Sequence, residues 1–299
     1  MGEAMATPAD DNPTPEKIVA DLIFLLELEA RGADQFVGRR HPDGTGRVFG
    51  GQAIAQALGA ASRTVDPERQ VHSLHAYFLR PGSDDLPIDF RVKRDLDGRS
   101  FSNRRVVASQ DGKPILNFVA SFQLPAEGPG HQHPSMPDVP PPEALEPDVV
   151  SARKLARHLP DGAFKTMIMR PQPVDFRSVE PRDWLHQEVR PPIANVWFRT
   201  VASLPADRAL HRTVLAWISD FQLLGTALQP VGSAVNRVKA ASLDHAMWFH
   251  DDFAVDDWLL YATDSPWSGN ARGFGRGQIF TRDGRLVASV TQEGMLRHL

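Results

Sequence analysis

The chain has 299 residues, 41% of them hydrophobic, with a formal net charge of -4 and a pI near 6.3. This length admits one large domain or two of ordinary size, with a sizeable buried core. The mildly acidic balance supplies no basic field for a phosphate backbone and argues against nucleic acid as a partner. The chain lacks cysteine, which excludes disulfides, thiolate catalysis and zinc-thiolate sites.

Both ends of the chain bear on where the protein resides. Residues 1–17 are acidic and rich in Pro and Ala, without the basic and apolar pattern of a signal peptide, and no window approaches 18 uncharged apolar residues. The chain ends in Arg-His-Leu, which is not the Ser-Lys-Leu signal for peroxisomes. We therefore expect a disordered leader over 1–17 and a cytoplasmic location.

One change in composition divides the chain. From Leu124 to Asp148 the sequence is crowded with proline and has no hydrophobic period. Such a stretch neither continues a helix nor joins the interior of a sheet. We predict a linker over 124–164 that separates an N-terminal unit, 18–123, from a C-terminal unit, 165–299.

The two predicted units resemble each other. In the first, the helical pattern GGQAIAQALGAASRTV precedes VHSLHAYFLRPG and a stretch of alternating residues with Asp-Gly turns. In the second, HRTVLAWISDFQLLGTALQ precedes AASLDHAMWFHDD and a similar alternating stretch. Two local matches, HSLHAYF with ASLDHAMWF and QDGKPILNFVASF with RDGRLVASVTQ, recur in the same order. This order indicates an internal duplication.

Each unit is predicted to hold one long helix within an antiparallel sheet. A helix that is apolar nearly all round must be buried, so the sheet should curl around it. The strings SQDGKP and TRDGRL are typical of hairpin tips. The predicted fold is therefore α+β, with two helix-and-sheet units whose sheets join edge to edge.

Several strings resemble one enzyme family. They are VFGGQAIAQAL, HSLHAYFLRPG, FSNRRVVASQDGKP, SDFQLL with ALQP, SLDHAMWFH, and ARGFGRGQIFTRDGRLVASVTQEG. Together they are similar to the acyl-CoA thioesterase II family, in order, from about residue 18 to the C-terminus. The resemblance implies a double hot-dog fold and hydrolysis of fatty acyl-CoA to free acid and CoA, without a cofactor or a metal.

The resemblance also implies three catalytic residues. The family's aspartate, in a Ser-Asp pair before an apolar run, matches Asp220 in ISDFQLL. Its hydroxyl residue, usually threonine, matches Ser242 in ASLDHAMWFH, and its glutamine matches Gln292 in VTQEGM. Serine at position 242 keeps the hydroxyl but loses the methyl group that stiffens threonine.

Asp220 also stands out without the resemblance. On one continuous helix, its same-face neighbours are apolar: Ala216, Trp217, Leu223, Leu224 and Ala227, while Arg212, Ser219, Gln222 and Thr226 form a polar stripe on another side. A buried carboxylate needs compensating bonds, so Asp220 is either structural, bonded to a backbone amide or an arginine, or functional. The matching helix GGQAIAQALGAAS contains no Asp or Glu, which favours function.

The residue types indicate a water nucleophile. With no cysteine and no G-x-S-x-G string, the usual carriers of a covalent acyl group are missing. Asp220 is the one member of the trio that accepts a proton at neutral pH, so it is the predicted base, and Ser242 and Gln292 would orient the water. The residues alone favour a surface strand serine at Ser242 and a bond to a neighbouring backbone group at Gln292, so both catalytic assignments depend mainly on the resemblance.

Four further residues are candidates for substrate binding. Gly50 and Gly51 precede the first helix, where bare amides could hold the thioester oxyanion, or where a tight turn could need positive φ. Arg272 and Arg276 share a strand face and could meet CoA phosphates, although solvation of an exposed face explains them equally well.

Other motifs carry little functional weight. His72 and His75 should lie on opposite faces of a strand, so they cannot share a metal, and one is expected in the core or a cleft. His131 and His133 lie in the linker without a third ligand. The string GFGRG at 273–277 lies inside a strand pattern rather than between strand and helix, which argues against a nucleotide loop.

Two rival functions stay open at this point. The double hot-dog architecture also serves hydratases and dehydratases of enoyl thioesters, but Asp244 and His245 are adjacent on a strand and should point apart. A non-catalytic acyl-CoA-binding module is the other rival. We further expect a lining for medium to long acyl chains between the two helices, and a homo-oligomer, either a dimer or a tetramer.

Overall fold

The computed structural model describes residues 13–41, 46–133, 135–159, 161, 162, 165, 168–181, 188–232 and 238–298. Most of the predicted leader, residues 1–12, lies outside these ranges. Helix α1, Pro15–Leu26, begins within the predicted leader. The Thr14 hydroxyl accepts a hydrogen bond from the Lys17 amide and caps this helix. The first unit therefore starts a few residues before position 18.

In the described ranges, the N-terminal unit consists of helix α1, a second helix that is almost completely buried, and six strands. Its elements after α1 are β1 Leu28–Gly32, β2 Gln35–Gly38, α2 Gly50–Ser62, β3 Gln70–Phe78, β4 Ile88–Asp97, β5 Phe101–Gln110 and β6 Lys113–Gln123. Ten of the 13 residues of α2 are buried. The prediction that an apolar helix is enclosed by the sheet is therefore confirmed for this unit.

The proline-rich segment packs against the second unit. It contains a short 3₁₀ turn, Pro142–Ala144, and helix α3, Asp148–Ala156. The Trp197 indole N–H donates to the Pro140 carbonyl at 2.9 Å. A small apolar cluster, separate from the main core, fills the contact: Trp197, Trp258, Leu260 and Phe280, with Met136, Val139 and Leu145 from the segment. The segment thus covers the outer face of the second unit's sheet.

The C-terminal unit repeats the plan of the first with a divided helix. Its elements are β7 Val174–Ser178, β8 Ile193–Thr200, α4 Arg208–Ile218, a 3₁₀ turn Ser219–Phe221, α5 Leu223–Leu228, β9 Val238–Ser242, β10 Asp244–Phe249, β11 Leu259–Gly269, β12 Arg272–Thr281 and β13 Leu286–His298. The expectation of one continuous helix is wrong, because the chain tightens into the 3₁₀ turn at Asp220. Ser219 and Thr226, from the supposed polar stripe, are both fully buried.

The thirteen strands of the described ranges form one antiparallel sheet. The strand order is β1-β2-β4-β5-β6-β3 in the first unit and β10-β13-β12-β11-β8-β7 in the second, with β9 pairing β13. Read from the outer edge inward, the two orders correspond strand for strand. The units join where β3 pairs β10, with Tyr77 opposite Asp244 and Ser73 opposite Trp248. The double hot-dog fold with joined sheets is therefore confirmed.

Both predicted hairpin tips are present. Asp111 and Gly112 link β5 to β6 with φ values of 47° and 71°, the left-handed pair that suits the twist of a two-residue hairpin. In the second unit Gly284 has a φ of 88° at the equivalent tip. In the described part of the chain, no helix has the length and apolar character needed to cross a membrane.

Candidate active site

Asp220 lies where the two central helices meet. It sits in the turn that follows α4, against the N-terminus of α2, where the Gly51 amide donates a hydrogen bond to its carboxylate. A Cβ atom on Gly50 would come within 2.6 Å of Asp220 Oδ2, and one on Gly51 within 2.4 Å of the Trp217 carbonyl oxygen. Neither glycine has a positive φ, so the tight-turn explanation is wrong. The glycines are needed for close approach.

The side chain of Gln292 connects Asp220 to Ser242. Its Nε2 donates to Asp220 Oδ1 at 2.5 Å and to Ser242 Oγ at 3.2 Å. Gln292 lies in the middle of β13 and is fully buried, and the Asp220 side chain is 5% exposed. The structure thus brings together all three residues that the sequence nominated, in one enclosed polar cluster.

A break between two strands places a fourth residue in this cluster. β9 ends at Ser242 and β10 begins at Asp244, while the Leu243 amide donates to the Glu293 carbonyl at 2.9 Å. Because the alternation is interrupted here, Ser242 and His245 both face Gln292. The Nδ1 atom of His245 lies 3.4 Å from Gln292 Nε2.

Asp244 turns away from the cluster. Its carboxylate accepts the Glu293 amide at 2.7 Å, whereas the adjacent His245 is fully buried beside Gln292. The expectation that these two neighbours point apart is confirmed. Asp244 and His245 therefore do not face the same side-chain cluster.

Ser219 contacts the ring nitrogen of His245 that is remote from Gln292. Ser219 Oγ lies 2.9 Å from His245 Nε2 and donates to the Ala216 carbonyl at 2.9 Å. The Tyr261 hydroxyl donates to the Ser219 carbonyl at 3.0 Å. The sequence did not identify these three residues as part of the site. The one available signal was that His245 lies in the same SLDHAMWF string as Ser242.

Burial dominates the electrostatics of the cluster. It raises the pKa of Asp220 from 3.8 to about 6, although hydrogen bonds from Gln292 and the Gly51 amide act in the opposite direction. It also lowers the pKa of His245 from 6.5 to about 3, so that this ring is neutral at pH 7. Among the residues that the structure describes, no arginine or lysine pairs with Asp220, and His245 Nδ1 stands 4.0 Å from its Oδ1.

The two helix ends act on Asp220 in opposite senses. Asp220 follows the C-terminal end of α4, where the helix dipole disfavours a negative charge, and faces the N-terminal end of α2, where the dipole favours one. An Asp220 carboxylate therefore depends on an element of the other unit. The cluster belongs to the contact between units rather than to one unit alone.

An aromatic wall adjoins the polar cluster. The ring of Phe221, next to Asp220 in sequence, lies 4.5 Å from that of Phe49, 4.9 Å from that of Trp217 and 5.5 Å from that of Phe176. Phe221 itself is 38% exposed. Apolar surface is thus open to solvent within one residue of the buried carboxylate.

The two candidate arginines face outward and already have carboxylate partners. Arg272 Nη1 lies 3.6 Å from Glu293, and Arg276 bonds Asp264 through two nitrogens at 2.7 and 2.8 Å. Both side chains lie on the exposed face of β12, as expected. Nothing in these contacts distinguishes Arg272 from an ordinary half-exposed ion pair.

The GFGRG string is part of strand β12. A Cβ atom on Gly275 would approach the Leu223 carbonyl oxygen to 3.0 Å, and one on Gly277 would come within 2.2 Å of the Tyr261 ring. These glycines therefore let α5 and a core aromatic ring pack closely on the sheet, and the string forms no nucleotide loop.

The prediction for His72 and His75 is wrong. A bulge between Val71 and Ser73 shifts the alternation of β3, so both histidines face outward and neither enters the core. His72 Nε2 lies 2.9 Å from Ser121 Oγ, and the His75 ring packs edge-on against Trp248 at 5.2 Å. Within the described ranges, no three residues among His, Asp and Glu form a group that could hold a metal ion, and this includes His131 and His133.

Two helices enclosed by one continuous sheet, with a buried acid at their contact, define a double hot-dog protein. Sequence models described as acyl-CoA thioesterase and acyl-CoA thioesterase N-terminal domain match residues 172–295 and 39–123. Acyl-coenzyme A thioesterase 8 of Homo sapiens is 38% identical over 280 residues, which cover 91% of this chain and 88% of the relative.

Solved structures agree with this assignment. An acyl-CoA thioesterase II from Mycobacterium marinum is 40% identical, with a TM-score of 0.76 over 92% of this chain and 97% of its own. A protein from Alicyclobacillus acidocaldarius described as having a hot dog fold is 21% identical, with a TM-score of 0.72 over 93% of this chain and 98% of its own, and shows the fold alone. The chain belongs to the acyl-CoA thioesterase family, a family of thioester-hydrolysing enzymes.

Proposed function

We propose that this protein hydrolyses fatty acyl-CoA to free fatty acid and CoA by direct attack of water. The observation that carries the proposal is the hydrogen-bonded series from Asp220 through the Gln292 amide to Ser242. Asp220 has a pKa raised to about 6 and no cationic partner among the described residues. A buried carboxylate with such a pKa is suited to accept a proton near neutral pH.

The proposed reaction proceeds in two steps. Water, held by Ser242 and Gln292, attacks the thioester carbonyl carbon while Asp220 takes one of its protons. The tetrahedral intermediate then collapses, the carbon–sulfur bond breaks, and the proton on Asp220 returns to the departing CoA sulfur. The positive end of α2 at Gly50 and Gly51 lies beside Asp220 and would stabilise negative charge that develops on the carbonyl oxygen.

The aromatic wall supports a preference for medium to long acyl chains. Phe49, Trp217 and Phe221 offer apolar surface beside Asp220. Each methylene removed from water onto such a surface contributes about 0.8 kcal/mol. Arg272 as a contact of the CoA phosphates, a cytoplasmic location and a homo-oligomer stay predictions.

Release of free thiol from acyl-CoA esters of graded length tests the proposal. We expect turnover of medium and long chains, with KM falling as the chain lengthens. Activity confined to acetyl-CoA would overturn the chain-length assignment. Consumption of enoyl-CoA without thiol release would indicate a hydratase instead, and tight binding without turnover would indicate a binding module.

A further inference from the structure

We propose that His245, backed by Ser219, is a positioning residue that reinforces the orientation in which the Gln292 amide nitrogen faces Asp220. This inference rests on the proposed function, because the orientation of that amide matters for holding the attacking water. Nothing in the chemistry of thioester hydrolysis itself requires a histidine at this place.

The contacts of Ser219 determine which ring nitrogen of His245 carries the proton. Ser219 Oγ has a single proton, and it lies 2.9 Å from the Ala216 carbonyl, which can only accept. The proton therefore goes to Ala216, since two oxygens at this distance without a proton between them would repel each other. The second contact of Ser219 Oγ, at 2.9 Å to His245 Nε2, must then be donated by the ring. His245 consequently carries its proton on Nε2, and Nδ1 has a lone pair.

The unprotonated Nδ1 of His245 favours one of the two orientations of the Gln292 amide. Gln292 Nε2 has two protons: one goes to Asp220 Oδ1 at 2.5 Å, and the other is shared between Ser242 Oγ at 3.2 Å and the lone pair of His245 Nδ1 at 3.4 Å. With the amide turned over, its oxygen would face both a carboxylate and a lone pair. His245 in this tautomer thus adds to the preference for the observed orientation. That orientation leaves Gln292 Oε1 buried without a hydrogen-bond partner among the described residues.

The opposite tautomer of His245, with its proton on Nδ1, would make Asp220 a weaker base. A proton on Nδ1 would point toward Asp220 Oδ1, 4.0 Å away, and would stabilise the carboxylate. It would also compete with the Gln292 amide for the same oxygen. Tyr261, whose hydroxyl donates to the Ser219 carbonyl, is the other titratable side chain against this cluster. By keeping the proton on the far nitrogen, Ser219 leaves Asp220 a stronger base.

Nitrogen NMR of the imidazole reads the tautomer in the full-length protein without any assay of activity. The His245 signals are assigned by their loss in His245→Asn. We expect a neutral ring at pH 7 with the proton on Nε2, and a measurable Nδ1–H population in Ser219→Ala. A wild-type ring that is charged, or protonated on Nδ1, would overturn the inference while leaving the proposed function intact.

Kinetics of two variants supply the second test. Asparagine can place an oxygen near the position of Nδ1, whereas leucine cannot accept a hydrogen bond. We expect His245→Leu to lower kcat about 10-fold with little change in KM, as for the loss of one hydrogen bond, and His245→Asn to restore most of the rate. Equal rates in the two variants would contradict a positioning role.

A matched control comes from another buried histidine. His211 in α4 is also buried, and its Nδ1 accepts the Val255 amide at 3.1 Å. We expect His211→Leu to lower Tm without changing kcat per folded molecule. If His245→Leu is poorly folded, Ser219→Ala carries the kinetic test, with a predicted loss in kcat and unchanged KM. If the wild-type enzyme cleaves no acyl-CoA, the proposed function fails, whatever tautomer the NMR reports.

Discussion

The two units have residues of contrasting chemistry at equivalent positions of the sheet. Nine residues beyond the tip aspartates Asp111 and Asp283, the first unit has Ala120 and the second has Gln292. The residue paired with each differs as well, because Arg104 lies opposite Ala120, whereas Gly275 lies opposite Gln292. The same two positions thus hold a buried cation beside alanine in one unit and a buried amide beside glycine in the other.

The charges at the two helix ends differ in the same way. Arg104 bonds the Thr64 carbonyl at 2.9 Å and the Asp97 carboxylate at 2.6 Å, and it contacts the C-terminal end of α2, where a cation is favourable. Asp220 puts an anion at the C-terminal end of α4, where it is unfavourable. One unit therefore stabilises its interior, while the other retains a reactive group against the preference of its own helix.

Removing the acid should have the largest effect. Asp220→Asn keeps the shape of the side chain but cannot accept a proton, so kcat should fall about 10²- to 10⁴-fold. KM should change little, because binding does not depend on the proton acceptor. Rates measured by thiol release, with Asp97→Asn in the first unit as control, separate loss of the base from general loss of a carboxylate. Near wild-type turnover would mean that Asp220 is not the base.

The difference in stability between Asp220→Asn and wild type should depend on pH. Because the pKa of Asp220 is raised from 3.8 to about 6, the folded protein loses stability as pH rises through this window. The loss is complete above pH 6 and amounts to about 3 kcal/mol. Asp220→Asn should therefore melt higher than wild type at pH 7, with no advantage near pH 4. A lower Tm at pH 7 would indicate a structural carboxylate. Wild-type activity should decline below about pH 6, where the base is protonated.

Replacement of the buried cation should affect stability and not chemistry. Arg104→Met removes bonds to Thr64 and Asp97 and leaves buried carbonyls unpaired, so the free energy of unfolding should fall by about 3 kcal/mol. The kcat per folded molecule should stay within twofold of wild type. Chemical denaturation and thiol release measure the two quantities. A large fall in kcat at unchanged stability would show that the first unit takes part in the chemistry beyond its helix end.

Making the second unit resemble the first should have an intermediate effect. Gln292→Ala supplies the residue that Ala120 provides in the first unit and removes a hydrogen bond to a charged group. Such a bond contributes about 1.5–3 kcal/mol, equivalent to about a 10- to 10²-fold loss in kcat. Ser242→Ala should lower kcat by no more than this, and either change should combine non-additively with Asp220→Asn. Fully additive losses would argue against a shared water.

The smallest effect should come from the proline-rich segment, which covers only the second unit. Trp197→Phe removes the hydrogen bond to the Pro140 carbonyl and should lower the free energy of unfolding by about 1 kcal/mol, with kcat unchanged. Trp267→Phe, at a ring that is 43% exposed, is the control for loss of an indole. Equal melting temperatures for Trp197→Phe and wild type would show that the segment does not stabilise the sheet.

The sequence predicted the architecture better than it predicted the local interruptions of helices and strands. The apolar helices, the hairpin tips and the joined sheets all follow from periodicity and turn chemistry, which depend on neighbouring residues. The turn at Asp220 does not, because the helical pattern continues through it and the break comes with the contact to the other unit's α2. The interruptions at His72 and Leu243 likewise shift the alternation without a local signal. For that reason the sequence misplaced His72 and His75 and missed His245.

The hydrogen bond from the Gly51 amide to Asp220 makes the site in the second unit depend on the first unit. The first unit has no acid on its central helix, yet its helix end stabilises the acid of the second. Neither unit could therefore be inherited alone without losing part of the site. Joining them in one polypeptide guarantees that the two are always made in equal numbers, so selection acts on the pair as a single gene.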